Sequence, residues 1–207
     1  MDDPDLEDAY GLKTPEDSIR LYRDWSESYD EGFAATQGYR LPAAVAEAFA
    51  AEGGAGPVLD VGAGTGLLAA RLAELGVGPV EAADISPEML ARAEAKGLYR
   101  ATHVLDLTGP LPLADGLYGG ITSSGTFTHG HVGPEALDEL LRIAAPGALF
   151  ALSINAEVYE SSGFAEKLAA LGEAITDLDL PEVAIYGPGA DPAHRGDRAL
   201  IALFRKA

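Results

Sequence analysis

The chain has 207 residues, of which 47% are hydrophobic and 23% are charged, and this balance predicts one folded domain. It has no cysteine, which excludes disulfides, a thiolate nucleophile and cysteine-ligated metals. The formal net charge of −19 repels phosphate backbones, so we expect no nucleic acid among its partners. The chain lacks an apolar run of about 20 residues, as a membrane span needs, and its start, MDDPDLED, lacks a signal-peptide core. We therefore expect a cytoplasmic protein with no membrane partner; no oligomeric state is predicted.

The first part of the chain is predicted to be mainly helical. Residues 1–13 are acidic, and we predict a flexible tail there. Thr14-Pro15-Glu16-Asp17 is typical of a helix start, because threonine caps free N–H groups and proline suits the first helical position. A second helix is indicated by LPAAVAEAFA, which begins at Leu41 and is followed by Gly53-Gly54. Residues 14–53 are therefore predicted to form an N-terminal helical lid.

From residue 54 onward, short apolar runs alternate with stretches of helical periodicity. The strands are predicted at 57–61, 80–84, 102–106, 119–124, 148–154, 182–187 and 198–205, and the helices at 66–76, 86–97, 133–147 and 161–175. Such alternation is typical of βαβ units, and two strands without a helix between them form an antiparallel pair. The predicted fold is therefore α/β, a Rossmann-like, doubly wound, seven-stranded, mainly parallel sheet. It has helices on both faces and a terminal antiparallel hairpin, all within a core of residues 54–207.

A glycine-rich turn follows the first strand. It reads Asp60-Val61-Gly62-Ala63-Gly64-Thr65-Gly66 and leads directly into a helix, whose free N–H groups favour an anion. Asp84 ends the second strand, eighteen residues after Gly66, where an acid in this fold binds ribose hydroxyls. The sequence therefore predicts a nucleoside-binding site; the alternative is a tight turn beside a surface aspartate.

Several motifs resemble those of one enzyme family. VLDVGAGTG resembles the first motif of the class I S-adenosylmethionine-dependent methyltransferases, and DISPEML resembles the second. LLRIAAPGALFALSI is similar to the family's helix, Pro-Gly and fifth strand, and RLYRDWSESYD to an N-terminal helix that covers the cofactor. GYRLP, TFTHGHVGPEALDELLR and VYESSGFAEKLAAL resemble the small methyltransferase-like proteins of the Williams–Beuren-region type, a subgroup that does not fix a substrate.

The resemblance implies S-adenosylmethionine as the cofactor, S-adenosylhomocysteine as the product, and roles for individual residues. The glycine turn forms the floor under the methionine half, Asp60 orients that half, and Asp84 binds the ribose. The resemblance implies four contacts around the adenine, from Ile85, Met89, Asp106 and the N–H of Leu107. It places Ser123 near the sulfonium. It also implies that the helix covering the cofactor contributes Tyr22, Trp25 and Tyr29. Plain core packing is the alternative for Met89 and for the aromatic stripe of the lid. The floor residues are Gly62, Ala63, Gly64 and Gly66.

The stretch GTFTHGHVG, residues 125–133, holds two of the four histidines of the chain and follows the fourth predicted strand. An acceptor hydroxyl or ammonium must lose a proton before methylation, and histidine suits that task near neutral pH. We predict His129 as the base, with His131 and Tyr159 as further acceptor-side candidates. A metal site would need a third ligand such as Asp106 or Asp115, and we predict no metal. A purely structural role for both histidines stays open.

These observations predict a methyltransferase that transfers a methyl group to a small-molecule acceptor by in-line displacement. One alternative is an NAD(P)-linked oxidoreductase, which the spacing G-x-G-x-G and Asp60 disfavour, because the dinucleotide fingerprint is G-x-G-x-x-G. The other is a non-catalytic protein that binds S-adenosylmethionine or a protein partner.

Overall fold

The computed structural model describes residues 8–9, 11–12 and 14–207. The flexible tail predicted at residues 1–13 falls mostly outside the described residues; within it, Ala9 and Leu12 are buried. Helices are found at Pro15–Trp25 (α1), Ala35–Gln37 (α2), Leu41–Ala51 (α3), Leu67–Glu74 (α4), Pro87–Ala95 (α5), Ala136–Ile143 (α6), Ala156–Ser161 (α7) and Phe164–Leu171 (α8). No helix within the described ranges is long and apolar enough to cross a membrane.

The N-terminal helices form as the sequence predicts. Thr14 caps α1, because its Oγ1 accepts a hydrogen bond from the Asp17 N–H at 3.2 Å, and Pro15 takes the first helical position. After α1 the chain continues as a π-helical segment, Tyr29–Ala34, which runs into α2. Gly38 ends α2 in the left-handed conformation, with φ 56°. The chain can therefore turn there and begin α3. This mainly helical segment, residues 15–51, is called the lid.

The strands form one sheet of eight. They are Val58–Val61 (β1), Val80–Asp84 (β2), Thr102–Val104 (β3), Tyr118–Phe127 (β4), Ala144–Asn155 (β5), Ile175–Asp179 (β6), Glu182–Ala184 (β7) and Arg198–Lys206 (β8). Their order is β3-β2-β1-β4-β5-β8-β6, with β7 also paired to β8. The first five strands are parallel, and β8 runs antiparallel to β5, β6 and β7. The predicted fold class is confirmed.

The antiparallel end of the sheet differs in detail from the prediction. The helix expected to reach residue 175 ends at Leu171, because Gly172 (φ 50°) leaves helical geometry, and β6 begins at Ile175. The strand expected at 182–187 is shortened to β7. Asp177, with a φ of 58°, lies at an irregularity inside β6. Pro181, which has no N–H to donate to a ladder, lies between β6 and β7, so the edge is divided into two short strands. Both pair with β8, which makes eight strands instead of seven.

Two apolar layers cover the sheet and hold its central strands. One contains Tyr118, Phe150 and Phe204, and the other, beneath α3 and α4, contains Phe49 and Leu72. Gly120 on β4 is required there, because a Cβ at this position would overlap the Phe49 ring. The central strands are thus buried on both faces, as parallel strands generally are. Their carboxyl ends, after β1, β2 and β4, meet at one edge of the sheet.

Candidate active site

A cleft lies at this edge, between the sheet and the N-terminal lid. It is partly open to solvent, and residues of the sheet edge and of the lid line it. Predicted site residues that line it are Tyr22, Tyr29, Gly62, Gly64, Asp84, Ile85, Met89, Asp106, Leu107 and His131. Predicted site residues outside its lining are Trp25, Asp60, Ala63, Gly66, Ser123, His129 and Tyr159.

The glycine turn forms one side of the cleft. Gly62, Gly64 and Gly66 all have positive φ, so the turn depends on glycine. A Cβ at Gly62 would overlap Thr126 on β4, whereas a Cβ at Gly64 would meet open space. The backbone at Gly64 is therefore exposed to the cleft, and a ligand can approach it closely. Ala63 and Gly66 complete the turn without lining the cleft.

Asp84 is held by backbone N–H groups at the end of β2. Its Oδ2 accepts from the Gly64 N–H and its Oδ1 from the Ser86 N–H, both at 2.8 Å. Burial raises the pKa of Asp84, and the backbone hydrogen bonds oppose that rise. The carboxylate is thus fixed in direction at the wall of the cleft, and the second lone pair of each oxygen can accept from a pair of hydroxyl groups.

Asp60 lies beneath the turn rather than in the cleft. It is 1% exposed, and its Oδ2 accepts from the Tyr99 hydroxyl at 2.8 Å. Its other oxygen, Oδ1, is buried and has no hydrogen-bond partner among the described residues. Burial raises the pKa of Asp60 to about 7; the Tyr99 hydrogen bond lowers it and the nearby charge of Asp84 raises it. A buried oxygen of this kind favours a donor, such as an ammonium group or a water.

The far end of the cleft follows β2 and β3. Ile85, Met89 and Leu107 supply apolar walls, and Met89 is also packed against Trp25 under the lid. Asp106 is exposed, and its Oδ1 accepts from the Thr108 N–H and hydroxyl at 2.8 and 2.7 Å. The strand predicted at 102–106 would end at Asp106, but β3 ends at Val104, and the aspartate is exposed to solvent.

The lid is attached to the core by polar contacts. Asp30 accepts from the Thr65 hydroxyl at 2.5 Å and from the Lys96 ammonium at 2.6 Å. Thr65 belongs to the glycine turn and Lys96 follows α5, so one lid carboxylate joins both. Glu27 also pairs with Arg92 at 3.1 Å. These contacts hold the lid against the elements that form the cleft.

Aromatic rings form the inner face of the lid. Tyr22 stacks on Trp25 with 6.3 Å between ring centroids, and Trp25 meets Tyr29 edge-on at 5.2 Å. Tyr22 and Tyr29 line the cleft, whereas Trp25, 3% exposed, lines a second chamber beside it. The predicted stripe therefore serves both as core and as cavity wall.

The structure places the two histidines of residues 125–133 in different surroundings. His131 lines the cleft; its Nε2 lies 2.9 Å from the Tyr22 hydroxyl and its Nδ1 lies 2.7 Å from the His129 carbonyl oxygen. A carbonyl only accepts, so Nδ1 carries the proton and Nε2 of the neutral ring accepts from Tyr22. Burial lowers the pKa of His131, which keeps the ring neutral near pH 7. His129 instead has its Nε2 3.4 Å from a Glu157 carboxylate oxygen.

Other predicted residues have structural surroundings. Ser123 is fully buried, and its hydroxyl donates to the Val61 carbonyl at 2.8 Å, which ties β4 to β1. Tyr159 packs against the main core, away from the cleft. No three His, Cys, Asp or Glu side chains in the described parts of the chain cluster as metal ligands would.

Comparison with known proteins decides which family the fold and cleft represent. Residues 59–152 match a family described as a methyltransferase domain. Over 151 residues, 70% of this chain, the sequence is 32% identical to human methyltransferase-like protein 27. The chain belongs to the class I S-adenosylmethionine-dependent methyltransferases. It spans about 60% of the length of the human relative.

Solved structures share this fold over 91% or more of the chain. A S-adenosylmethionine-dependent methyltransferase of Methanococcus maripaludis has a TM-score of 0.63 at 17% identity, covering 91% of this chain and 93% of its own. The 1,6-didemethyltoxoflavin-N1-methyltransferase of Burkholderia thailandensis, solved with its substrate and S-adenosylhomocysteine, has 0.64 at 21%, covering 100% and 93%. The [4+2]-cyclase SpnF has 0.68 at 19%, covering 94% and 97%. At these identities the likeness concerns the fold.

S-adenosylmethionine is accordingly the cofactor of this methyltransferase, and the residues present fit it. The cleft offers a fixed carboxylate at Asp84, exposed backbone at Gly64 and an unpartnered buried oxygen on Asp60. The sulfonium and ammonium groups of S-adenosylmethionine are cationic, and the carboxylates of Asp60 and Asp84 have the opposite charge. The family match also disfavours the NAD(P)-linked alternative.

Some residues of the site were not predicted from the sequence. Tyr39, Thr126 and Ser124 line the cleft, and Tyr99 holds Asp60. Tyr39 lies in GYRLP, one of the motifs that carried the narrower resemblance, so a signal was present for it. Tyr99 lies in a loop between α5 and β3, where no local pattern marks it.

Proposed function

We propose that this protein transfers a methyl group from S-adenosylmethionine to a small molecule by in-line displacement. The observation that carries the proposal is Asp84, whose two oxygens are fixed by backbone donors at the wall of a cleft beside open glycine backbone. This geometry suits a ribose diol, and few other ligands need both features together. A cytoplasmic location and a non-nucleic-acid acceptor are part of the proposal, supported by the absence of cysteine and the net charge of −19.

The bound cofactor supplies an electrophilic methyl group on a sulfonium sulfur. Gly64 and its neighbours would hold the methionine half, Asp60 would accept from the ammonium directly or through water, and Asp84 would accept from both ribose hydroxyls. Ile85 and Met89 would bound the adenine from their side of the cleft. The lid aromatics exclude water and offer ring faces to the cation, an arrangement that favours positive charge. The main acceleration expected of such a site is the alignment of acceptor and methyl group.

The acceptor side of the proposal assigns proton removal to His131. The sequence predicts His129 for this role, but His131 has the shorter polar contact and belongs to the cleft lining. Its unprotonated Nε2, supported by the Nδ1 contact with a carbonyl, is the group that can take a proton. His129 lies outside the cleft lining, with its Nε2 3.4 Å from a Glu157 carboxylate oxygen.

The first test is calorimetric titration of S-adenosylhomocysteine into Asp84→Ala. We expect affinity to fall by at least about tenfold, because a carboxylate that accepts hydrogen bonds is worth roughly 1.5 kcal/mol or more. Asp115→Ala, which removes an exposed carboxylate paired with Arg142, is the control and should leave the affinity unchanged. Equal affinities for Asp84→Ala and wild type, with the fold intact by circular dichroism, contradict the ribose assignment.

The second test addresses turnover. A cell-extract screen with methyl-labelled S-adenosylmethionine reports which compound gains the label. A labelled small molecule supports the proposal, whereas tight cofactor binding with no labelled product indicates a role other than methyl transfer. The resemblance to a [4+2]-cyclase makes that second outcome a concrete alternative, because the same fold hosts chemistry other than methyl transfer.

A further inference from the structure

A second chamber adjoins the cofactor cleft on the lid side. The two cavities share five wall residues, namely Tyr22, Tyr29, Tyr39, Gly125 and His131. The chamber is partly open to solvent and is smaller than the cleft. Under the proposed function, a molecule in this chamber lies next to the bound cofactor, where a methyl acceptor is required.

Aromatic rings dominate the walls of the chamber. The Phe33 ring packs against three other wall rings, with its centroid 4.8 Å from that of Trp25, 5.1 Å from that of Tyr29 and 6.1 Å from that of Tyr186. No described residue in its lining is Asp, Glu, Lys or Arg. A charged ligand would therefore lose its hydration without gaining an ionic partner. A cationic ligand would in addition be repelled by the sulfonium of the neighbouring cofactor.

Uncharged polar groups supplement the rings. The Ser153 hydroxyl oxygen accepts from the Gly125 N–H, and the Asn155 side-chain oxygen accepts from the Glu157 N–H, both at 2.9 Å. Asn155 therefore presents its amide N–H groups as donors to the chamber that it lines. These groups can orient a neutral ligand by hydrogen bonds without requiring charge on it.

The chamber also contains one basic group. The Nε2 atom of His131 accepts from the Tyr22 hydroxyl at 2.9 Å, and both residues line the chamber as well as the cleft. The Tyr22 oxygen can accept a hydrogen bond in turn, so a ligand hydroxyl can be connected to the imidazole through Tyr22. The pair forms a proton path that begins in the chamber and ends on a neutral histidine.

We propose that the chamber binds an uncharged, planar aromatic compound with a ring hydroxyl, and that the Tyr22–His131 pair takes its proton. This rests on the proposed methyltransferase function. As the acceptor oxygen attacks, its O–H proton moves to Tyr22 while the Tyr22 proton moves to His131 Nε2. A bond forms between that oxygen and the methyl carbon, and the carbon–sulfur bond breaks with its electron pair left on sulfur. The products are a methyl ether, S-adenosylhomocysteine and an imidazolium that returns its proton to water.

A ring hydroxyl suits the base better than other neutral acceptors do. A phenol has a pKa near 10, as tyrosine does, so it is uncharged at pH 7. An imidazole with a pKa near 6.5 is a closer match to it than to an alkyl alcohol, whose pKa is near that of water at about 15.7. An aliphatic amine is protonated at pH 7, as lysine is, and would enter as a cation, which the walls and the sulfonium disfavour.

The experiment uses the full chain saturated with S-adenosylhomocysteine and four probes of one size: phenol, toluene, benzoate and benzylamine. Trp25 is the only tryptophan of the chain, so its indole N–H resonance is a single reporter within the chamber. We expect phenol to shift this resonance saturably, and to bind at least tenfold more tightly than benzoate or benzylamine. Equal or tighter binding of either charged probe, or no saturable shift with phenol, overturns the proposal.

Variants test the proton path. Tyr22→Phe and His131→Gln should each weaken phenol by about five- to tenfold, the value of one hydrogen bond, and leave toluene unchanged. His129→Gln, in the same loop but outside both cavities, is the matched control and should bind phenol as wild type does. Loss of toluene together with phenol indicates a collapsed chamber, and unchanged phenol affinity in both variants overturns the role of the pair.

The result is separable from the proposed function. Failure of S-adenosylhomocysteine to bind wild type contradicts the methyltransferase proposal, whatever the probes do. In the labelled screen, a methyl group found on a ring oxygen supports the inference. A methyl group found on an amine, a carboxylate or an alkyl hydroxyl overturns the acceptor class while leaving methyl transfer intact.

Discussion

At the scale of single residues, Asp60 couples the cleft to the solution pH. Its buried carboxyl has one oxygen on the Tyr99 hydroxyl and one without a partner among the described residues. Burial raises its pKa to about 7, so below pH 7 the group is mostly neutral and above it is charged. Only the carboxylate attracts an ammonium strongly, and the site is therefore expected to bind the cofactor better at higher pH.

We predict that the affinity for S-adenosylhomocysteine rises between pH 6 and 8 with a midpoint near 7. Below the midpoint the rise approaches about tenfold per pH unit, since one unit of pKa corresponds to about 1.4 kcal/mol. Tyr99→Phe removes the hydrogen bond that lowers this pKa, so its midpoint should move to higher pH. Asp60→Asn should give a flat profile, and calorimetry over this range makes the comparison. A flat wild-type profile contradicts the role of Asp60.

The residue scale also shows what local sequence can predict. Asp84, Gly62 and Gly64 are where the motifs predict them, because strand, turn and helix fix their positions over a few bonds. Tyr99, which holds Asp60, is thirty-nine residues away in the chain, so only tertiary packing brings the two together. His129 and His131 are two residues apart, and the turn at Gly130 (φ 68°) decides which one faces the cleft. No periodicity encodes that choice.

At the scale of elements, ion pairs and hydrogen bonds attach the lid to the core in addition to apolar packing. Asp30 joins the π-helical segment to the glycine turn through Thr65 and to the end of α5 through Lys96. Both charged partners of the Asp30–Lys96 pair are about one third exposed, so the contact can break without great cost. We expect this contact to break when the cofactor is exchanged beneath the lid.

We predict that Lys96→Ala accelerates dissociation of S-adenosylhomocysteine by about three- to fivefold, in proportion to a partly exposed ion pair of ~0.5–1 kcal/mol. Stopped-flow displacement measures the rate. Lys167→Ala is the matched control, because Lys167 pairs with Asp138 at the same distance of 2.6 Å but joins α8 to α6. Added salt should reduce the difference between Lys96→Ala and wild type. An unaltered dissociation rate for Lys96→Ala means that the lid does not open at this contact.

The elements at the two ends of the sheet were predicted with different success. The parallel strands mostly carry apolar runs between glycine and proline breaks, so their number and their positions along the chain could be predicted. The antiparallel end could not be predicted in detail, because β6 is mostly exposed and ITDLD has no strong strand signal. The irregularity inside β6, between Thr176 and Asp179, contains Asp177, whose positive φ no sequence rule marks.

At the scale of the whole molecule, charge is the dominant feature. The chain has thirty-three acidic and fourteen basic residues, which gives a formal net charge of −19 over 207 residues. Mutual repulsion of like charges destabilises a compact state, and dissolved ions screen it within about 10 Å at 0.1 M salt. The folded chain is therefore expected to be more stable in salt.

We predict that the melting temperature rises by several degrees between 0.05 and 0.5 M sodium chloride, followed by circular dichroism. The rise should be the same for potassium chloride, because screening depends on ionic strength rather than on the ion. A melting temperature that is constant or falls with salt contradicts net repulsion as the cause.

The cleft and the chamber share a wall, but most of their other lining residues come from different parts of the chain. The contacts offered to the cofactor lie mostly between Gly62 and Leu107, whereas Phe33, Tyr39 and most other rings of the chamber belong to the lid. A change of lid sequence can therefore alter which compounds are accepted while the nucleoside site is kept. Exchange of residues 14–51 between relatives is thus a natural route by which substrate preference diversifies, and a practical one for redirecting this scaffold in the laboratory.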